Sequence, residues 1–200
     1  MQKLYRAIGT ITSEENSRKI HGLAIPVDVK SVLLPAEGVH ETILRDAVNE
    51  DLIKNNDVNL ILNHNPNLGV FARSKYGEGS LKLMVTDLGL EFETELPETE
   101  QCNQLLEGIK RGDFDAVSFC YDNYPEDEYY DKIPNPDGSW NRYVKKIHAL
   151  YEISILSVLP AYSDTNVQLR SLEKVKEEYK NKLKEKYSKM REEIEEISKI

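Results

Sequence analysis

Three side chains suited to acyl transfer, an alcohol, an imidazole and a carboxylate, lie far apart in the sequence. The alcohol is Ser118, which interrupts the short apolar run from Ala116 to Tyr121, a pattern typical of a buried strand. A serine hydroxyl is a weak nucleophile unless an adjacent base removes its proton. A serine within a strand is also far more often a hydrogen-bonded core residue than a nucleophile. The segment alone therefore leaves both interpretations of Ser118 open.

The imidazole is His64, which is the best placed of the four histidines in the chain. Alternation along a predicted strand puts Val58, Leu60, Leu62 and His64 on one face, with the imidazole at the end of a buried apolar row. A turn rich in Asn, Pro and Gly follows it. Histidines in such rows are mostly structural, but the junction of a strand and a loop is also where a rigid scaffold presents a catalytic base.

The carboxylate is Glu152, in the segment 142–160, which is predicted to form one long strand. If that strand is unbroken, His148, Leu150, Glu152 and Ser154 share one face. A carboxylate or a second imidazole on this face can hold the tautomer of His64 and stabilise its protonated form, so Glu152 and His148 are both candidates. A structural role for Glu152 in an ion pair or at the surface is the competing interpretation. Its apolar neighbours disfavour exposure, because an unpaired carboxylate in such a run is costly.

Cys120 is a rival nucleophile, because alternation puts it on the same strand face as Ala116 and Ser118. A buried cysteine is, however, usually a small hydrophobic residue. The sequence has no phosphate-binding glycine loop, no dinucleotide fingerprint and no G-x-S-x-G turn. Its four histidines and two cysteines do not have the spacing of a metal site. We therefore expect neither a cofactor nor a metal.

The elements that must position these side chains are mostly strands. The order predicts an α+β protein with a mainly antiparallel β barrel or sandwich core and helices around it. The predicted elements are strands at 19–26 and 58–64, a hairpin around residues 87–89, a helix at 38–55, a second helix at 98–113 that stops at Gly112, the Ser118 strand, an acidic loop at 122–141 and the long strand at 142–160.

The composition changes near Arg170, which predicts a domain over residues 1–170 and an appendage over 171–200. The appendage has nine Lys or Arg, eight Asp or Glu, and no Gly or Pro. Apolar residues recur there at steps of three and four from Leu172 to Ile197, which is typical of a long amphipathic helix. Docking on the chain's own body and a coiled coil with a partner remain equally open.

The net charge of −9 disfavours binding to nucleic acid, because an acidic chain repels phosphate backbones. Two cysteines are too few for a secreted disulfide framework. The N-terminal segment lacks the apolar core of a signal peptide, and no window reaches the length of a membrane span. These features predict a soluble, cytosolic-type protein that does not contact membranes.

The order of the segments is more informative than any of them alone. The chain resembles the prohead (capsid maturation) serine proteases of tailed phages, whose fold is similar to that of the herpesvirus assemblins. The stretches that carry the resemblance are collinear with the family and cover most of residues 5–171: "HGLAIPVDVKS", "HETILRDAV", "LILNHNPNLGVFARS", "GSLKLMVTDLGLEFETELPET", "LLEGIKRGDFDAVSFCY" and "LYEISILSVLPAYSDTNVQLRS".

The resemblance implies roles for the candidate residues. The His of "LNHN" and the Ser of "GDFDAVSF" are the family's catalytic positions, which implies His64 as general base and Ser118 as nucleophile of a serine endopeptidase. Family segments similar to "LYEISILSVLPAY" carry a carboxylate where Glu152 stands, whereas assemblins use a second histidine, for which His148 is the alternative here. The family often has a glycine where this chain has Cys120.

The resemblance also implies partners and a place of action. The substrates would be the delta segments of capsid or scaffold proteins, and the protease's own tail, cleaved inside an assembling prohead in the host cytoplasm. By analogy with assemblins, a homodimer is expected, or a coiled coil through residues 172–197. A second hypothesis is an inactive shell or scaffold component that keeps the protease fold.

Overall fold

The computed structural model describes residues 2–13, 17–34, 37–123 and 129–157, and strands dominate this part of the chain. Its helices are α1 (Glu50–Lys54) and α2 (Glu100–Arg111), with 3-10 turns at Arg45–Ala47 and Pro66–Leu68. The strands are β1 (Gln2–Ser13), β2 (Lys19–Pro26), β3 (Lys30–Leu34), β4 (Val39–Ile43), β5 (Asp57–Leu62), β6 (Ala72–Lys75), β7 (Glu78–Gly79), β8 (Lys82–Thr86), β9 (Gly89–Glu95), β10 (Ala116–Asn123), β11 (Tyr130–Pro134), β12 (Trp140–Val144) and β13 (Ala149–Leu156). The predicted tail helix at 171–200 and the domain boundary before it lie outside the described residues.

Nine strands form a large sheet in the order β7-β6-β5-β13-β10-β1-β2-β9-β8. All neighbouring pairs in this sheet are antiparallel except β13 and β5, which are parallel. The prediction of an α+β protein made mostly of strands is confirmed. The strand that carries Ser118, β10, lies near the middle of the sheet, and β13 and β5 follow on one side of it.

The large sheet curves strongly but remains open. Its two edge strands, β7 and β8, are separated along the chain only by Ser80 and Leu81, and so short a link reaches about 10 Å when extended. The two edges must therefore lie close together. The N–H of Leu81 indeed donates to the carbonyl oxygen of Arg73 at 3.1 Å. In the described part of the chain β7 pairs with β6 but forms no ladder with β8. Of the predicted barrel or sandwich core, the closed barrel is therefore wrong.

Four strands form a small sheet in the order β11-β12-β4-β3, in which β12 and β4 are parallel. A buried polar cluster joins it to β10. The hydroxyl of Tyr121 donates to Glu41 Oε2 at 2.9 Å, and Arg142 Nε donates to the same oxygen at 2.7 Å. Arg142 also pairs with Glu37 at 2.9 Å. Removing one member of a buried ion pair typically costs about 3–5 kcal/mol, so this cluster fixes the small sheet against the strand of Ser118.

Helix α2 begins and ends where the sequence predicts. The hydroxyl of Thr99 accepts a hydrogen bond from the N–H of Cys102, and Gly112 ends the helix in the left-handed conformation at φ 79°. Gly108 has a packing role, because a Cβ there would lie 2.2 Å from the ring of Phe114. The predicted hairpin between β8 and β9, and the strands around residues 19–26 and 116–121, are also present.

Three predicted elements are wrong. The helical spacing at 38–55 is divided among β4, a 3-10 turn and the short α1, because Val39 and Ile43 alternate into the core of the small sheet. The long strand at 142–160 is two strands, β12 and β13, which belong to different sheets. These two mistakes have the same cause, since a short apolar pattern does not record which sheet will bury it. The third is the acidic loop predicted at 122–141, which contains β11 and the first residues of β12, and these two strands pair antiparallel.

The main core lies against one face of the large sheet. The side chains of β10 that belong to this core are Val117, Phe119 and Tyr121, and those of β13 are Leu150, Ile153 and Ile155. We call this the core face. The opposite face, which we call the site face, carries Ser118 and Cys120 of β10 with their cross-strand partners Ser154 and Glu152 of β13. Within the described residues, no helix is long and apolar enough to cross a membrane.

Candidate active site

Ser118 lies where regular alternation puts it. Val117 and Phe119, its neighbours along β10, are fully buried in the core, so the Ser118 side chain projects from the site face. It lies opposite Ser154 of β13 and is only 1% exposed. The fold thus holds the hydroxyl on a central strand, with a buried serine directly across from it.

His64 reaches the site face through a turn. The last ladder bond beyond β5 runs from the N–H of Asn63 to the carbonyl oxygen of Ile155 at 2.9 Å. Asn63 and His64 then both have positive φ, 51° and 54°, and the N–H of Asn65 donates to the carbonyl oxygen of Leu62 at 3.0 Å. Two central residues with positive φ are typical of a tight type I′ turn. This turn reverses the chain just after the strand.

The turn corrects the sequence prediction for His64. Alternation placed its imidazole on the face of Val58, Leu60 and Leu62, but these residues pack into the core. The two left-handed residues bring His64 to the site face instead. Asn and His adopt positive φ more readily than most residues, so the "LNHN" stretch does carry the local tendency that the turn uses.

Glu152 reaches the site face through an irregularity in β13. Cys120 pairs with Glu152 and the next residue, Tyr121, pairs with Leu150, so Tyr151 is an extra residue between the two pairs. Leu150 therefore lies in the core, whereas Glu152 lies on the site face. The hydroxyl of Tyr151 donates to Asp122 Oδ2 at 2.6 Å, which fixes the irregularity to β10.

The three candidates meet in one hydrogen-bonded chain. His64 Nε2 lies 2.8 Å from Ser118 Oγ, and His64 Nδ1 lies 2.5 Å from Glu152 Oε1. A carboxylate can only accept, so Nδ1 carries the proton in this contact and Nε2 is left to accept the proton of the Ser118 hydroxyl. That is the tautomer that a general base needs. The side chains of His64 and Glu152 are 24% and 17% exposed, so water reaches the base more easily than the hydroxyl.

The structure does not bring His148 to this site. It precedes β13, its N–H donates to the carbonyl oxygen of Asp122 at 3.0 Å, and its exposed ring lies edge-on to Tyr129, with the ring centroids 6.4 Å apart. The extra residue Tyr151 is the physical reason, because it ends the alternation that would have put His148 and Glu152 on one face.

Cys120 is close to the site but is placed differently from Ser118. It lies on the site face opposite Glu152 and is completely buried. The imidazole Nε2 contacts the oxygen of Ser118, so the base is directed at the alcohol.

Among the described residues, no group of three or more His, Cys, Asp or Glu side chains could hold a metal ion.

Sequence reasoning missed three residues that support the candidate site. Ser154 accepts the backbone N–H of His64, Tyr151 creates the irregularity in β13, and Asn63 forms the turn. The asparagine had a detectable signal, since Asn favours left-handed turns. Ser154 had a weaker one, since alternation put it on the face of Glu152. Tyr151 had none, because a period of two does not show where it will be interrupted.

A comparison with protein families finds a match over residues 7–178 to the model of the Caudovirus prohead serine protease. The chain belongs to this family. The resemblance drawn from the six collinear stretches is thereby confirmed, and membership supports a protease role in the maturation of a phage capsid.

Among solved structures, this family member matches the capsid assembly protease gp21 of bacteriophage T4. The sequence identity is 13%, the TM-score is 0.45, and the match covers 78% of this chain and 96% of that one. A search of curated proteins finds no significant match.

Proposed function

We propose that this chain is an active serine endopeptidase with Ser118 as nucleophile, His64 as general base and Glu152 as the residue that orients the base. The observation that carries the proposal is the continuous hydrogen-bonded chain from Ser118 Oγ through the imidazole to Glu152 Oε1, at 2.8 and 2.5 Å. Family membership supports the same chemistry.

The proposed reaction is acyl transfer. As Ser118 Oγ attacks the scissile carbonyl carbon, its proton passes to His64 Nε2, and Glu152 stabilises the imidazolium that forms. Collapse of the tetrahedral intermediate breaks the C–N bond, and the leaving amine takes the proton from Nε2. Water then hydrolyses the acyl-enzyme, with His64 again as base. Backbone N–H groups are expected to stabilise the oxyanion, each by about 3–4 kcal/mol.

The test is to express the chain together with its capsid or scaffold partner, as wild type and as Ser118→Ala, and to measure intact masses. We expect cleavage in the wild type only, together with labelling of Ser118 by a fluorophosphonate. Uncut masses in both, under conditions where shells assemble, would favour the inactive shell component. Equal cleavage in both would direct attention to Cys120 or to a host protease.

The finer part of the proposal concerns substrates and location. The family's role in capsid maturation supports capsid or scaffold delta segments as substrates, processed inside the assembling prohead in the host cytoplasm. We further propose that residues 172–200 bind the scaffold or a second copy of the chain and are themselves trimmed. Deleting them should abolish packaging into proheads and leave peptide hydrolysis intact, whereas normal packaging of the shortened chain would contradict this role.

A cysteine protease based on Cys120 is the third possibility. Cys120→Ala and Ser118→Ala, assayed separately on the same substrate, distinguish the two nucleophiles. We expect Cys120→Ala to retain cleavage, because the imidazole contacts the serine oxygen. Loss of activity in Cys120→Ala with full activity in Ser118→Ala would reverse the assignment.

A further inference from the structure

Ser154 is a completely buried serine whose hydroxyl contacts the backbone of the candidate base. Its Oγ accepts a hydrogen bond from the N–H of His64 at 2.7 Å, and the residue lies directly across the sheet from Ser118. We infer that Ser154 is a positioning residue, which holds the left-handed turn of His64 so that the imidazole spans Ser118 and Glu152. The inference rests on the proposed function, for which this turn supplies the base.

The need for such a residue follows from where the ladder ends. The N–H of Asn63 still donates to a carbonyl oxygen of β13, that of Ile155. At His64 the chain has turned onto the site face, and its N–H donates to a side chain instead. Positive φ is an uncommon conformation for a residue with a side chain and persists where surrounding contacts hold it. The hydroxyl of Ser154 provides such a contact at the residue that must be held.

A second pair of hydrogen bonds at the turn is less effective because it is exposed. Asn63 Nδ2 donates to Ser157 Oγ at 2.7 Å, and the N–H of Ser157 donates to Asn63 Oδ1 at 2.9 Å. Water competes for both bonds, whereas the acceptor of the other bond, Ser154 Oγ, belongs to a completely buried residue and is shielded from water. The better shielded contact of the turn is therefore the one that the N–H of His64 makes.

The consequence for catalysis comes from the position of the ring. Both imidazole contacts depend on where the His64 backbone lies, since the ring has only two side-chain torsions with which to compensate. A misplacement of about 1 Å at a reacting group can lower a rate about 100-fold. Ser154 thus acts through His64 and does not contact the reacting atoms.

The decisive experiment compares Ser154→Thr with Ser154→Val, two side chains of the same shape of which only Thr keeps the hydroxyl. We expect Ser154→Val to slow fluorophosphonate labelling of Ser118 and to lower kcat about 10- to 100-fold with KM unchanged, and Ser154→Thr to restore most of both. Ser154→Ala repeats the comparison without added volume. Ser74→Ala is the matched control, because Ser74 is also completely buried and its hydroxyl has no hydrogen-bond partner within the described residues.

Proton NMR gives a readout that does not depend on activity. The short contact of His64 Nδ1 with Glu152 predicts a far-downfield imidazole N–H resonance, measured in the Ser118→Ala background. We expect the resonance to persist in Ser154→Thr and to shift or broaden beyond detection in Ser154→Val and Ser154→Ala. If it is unchanged in Ser154→Ala, and kcat also stays within about twofold while only Tm falls, Ser154 is merely structural and the inference is overturned.

The same measurement separates this inference from the proposed function. If the wild type neither labels nor cleaves but the resonance depends on the Ser154 hydroxyl, the positioning role stands and the protease proposal fails. If the wild type is active and Ser154→Val is equally active, the positioning role fails and the protease proposal stands.

Discussion

The strand that carries Ser118 and the segments that carry its two partners follow different rules. β10 keeps a regular alternation from Ala116 to Cys120, with every second side chain in the core. β5 ends in a turn of two left-handed residues, and β13 contains the extra residue Tyr151. The candidate nucleophile is thus placed by regular alternation, whereas the base and the carboxylate reach it only because alternation is interrupted in their segments.

The difference shows how an all-polar site can lie next to a hydrophobic core. If β5 and β13 had kept their alternation, His64 would follow the face of Leu62, and Glu152 would share the face of Leu150. Both faces belong to the core. Each break is fixed by a side-chain hydrogen bond, from His64 to Ser154 in one case and from Tyr151 to Asp122 in the other.

The largest expected effects test whether Ser118, on the regular strand, and His64, on the interrupted one, act as one unit. Ser118→Ala and His64→Ala should each lower kcat by about 10⁴- to 10⁶-fold, and the double variant should lose little more, because either residue is useless without the other. Steady-state cleavage of a peptide substrate measures all three. Losses that multiply in the double variant would mean that the residues act independently.

Glu152→Gln should have the next largest effect, a loss of about 10³- to 10⁴-fold in kcat, because the amide can donate to Nδ1 and so favours the wrong tautomer of His64. His148→Ala is the matched control and should remain within about twofold of the wild type, since His148 lies at Tyr129. A larger loss in His148→Ala than in Glu152→Gln would restore the histidine as the third member.

Tyr151→Phe tests the irregularity in β13 alone. It removes the hydroxyl that donates to the fully buried Asp122, so the free energy of unfolding should fall by about 1–3 kcal/mol. The kcat should also fall, by about 3- to 30-fold, because Glu152 is then positioned less precisely against His64. Urea denaturation and kcat are measured together, with the exposed Tyr76→Phe as control. A stability loss without any change in kcat would show that Glu152 does not depend on this bond.

The smallest effect comes from an ion pair outside the site. Arg73 donates to Asp57 Oδ1 at 2.6 Å and, through this hydrogen bond, lowers the pKa of the Asp57 carboxyl below its ordinary value. A lowered pKa stabilises the fold above the unfolded-state value and loses that effect as the pH falls through the folded-state value. Arg73→Gln should therefore lower Tm by less than about 2 °C at pH 7, and less again near pH 2.

Thermal melts at both pH values, with the exposed Lys82→Gln as control, measure this difference. A deficit that grows on acidification would contradict the assignment of the pKa shift to Arg73. The kcat at pH 7 should not change, because the Arg73–Asp57 ion pair is outside the candidate site and, as a solvent-accessible pair, contributes little to the stability of the fold.

Local patterns in the sequence determined much of this protein. The face of Ser118, helix α2 with its Thr99 and Gly112 ends, and the hairpin between β8 and β9 follow from alternation, capping and turn residues. The order of the motifs was enough to indicate the family. These features depend on neighbours within a few residues, and such neighbours are visible in the sequence.

Only the tertiary structure decided which candidates meet. The pairing of β5 with β13 and of β13 with β10 brings residues 64, 118 and 152 together, and His64 meets its two partners across 54 and 88 positions of chain. The same pairing excludes His148. Sheet order and the breaks in alternation depend on hydrogen bonds between distant strands, whereas a period of two describes one strand at a time. The sequence therefore predicts the reacting groups, and the fold determines their arrangement.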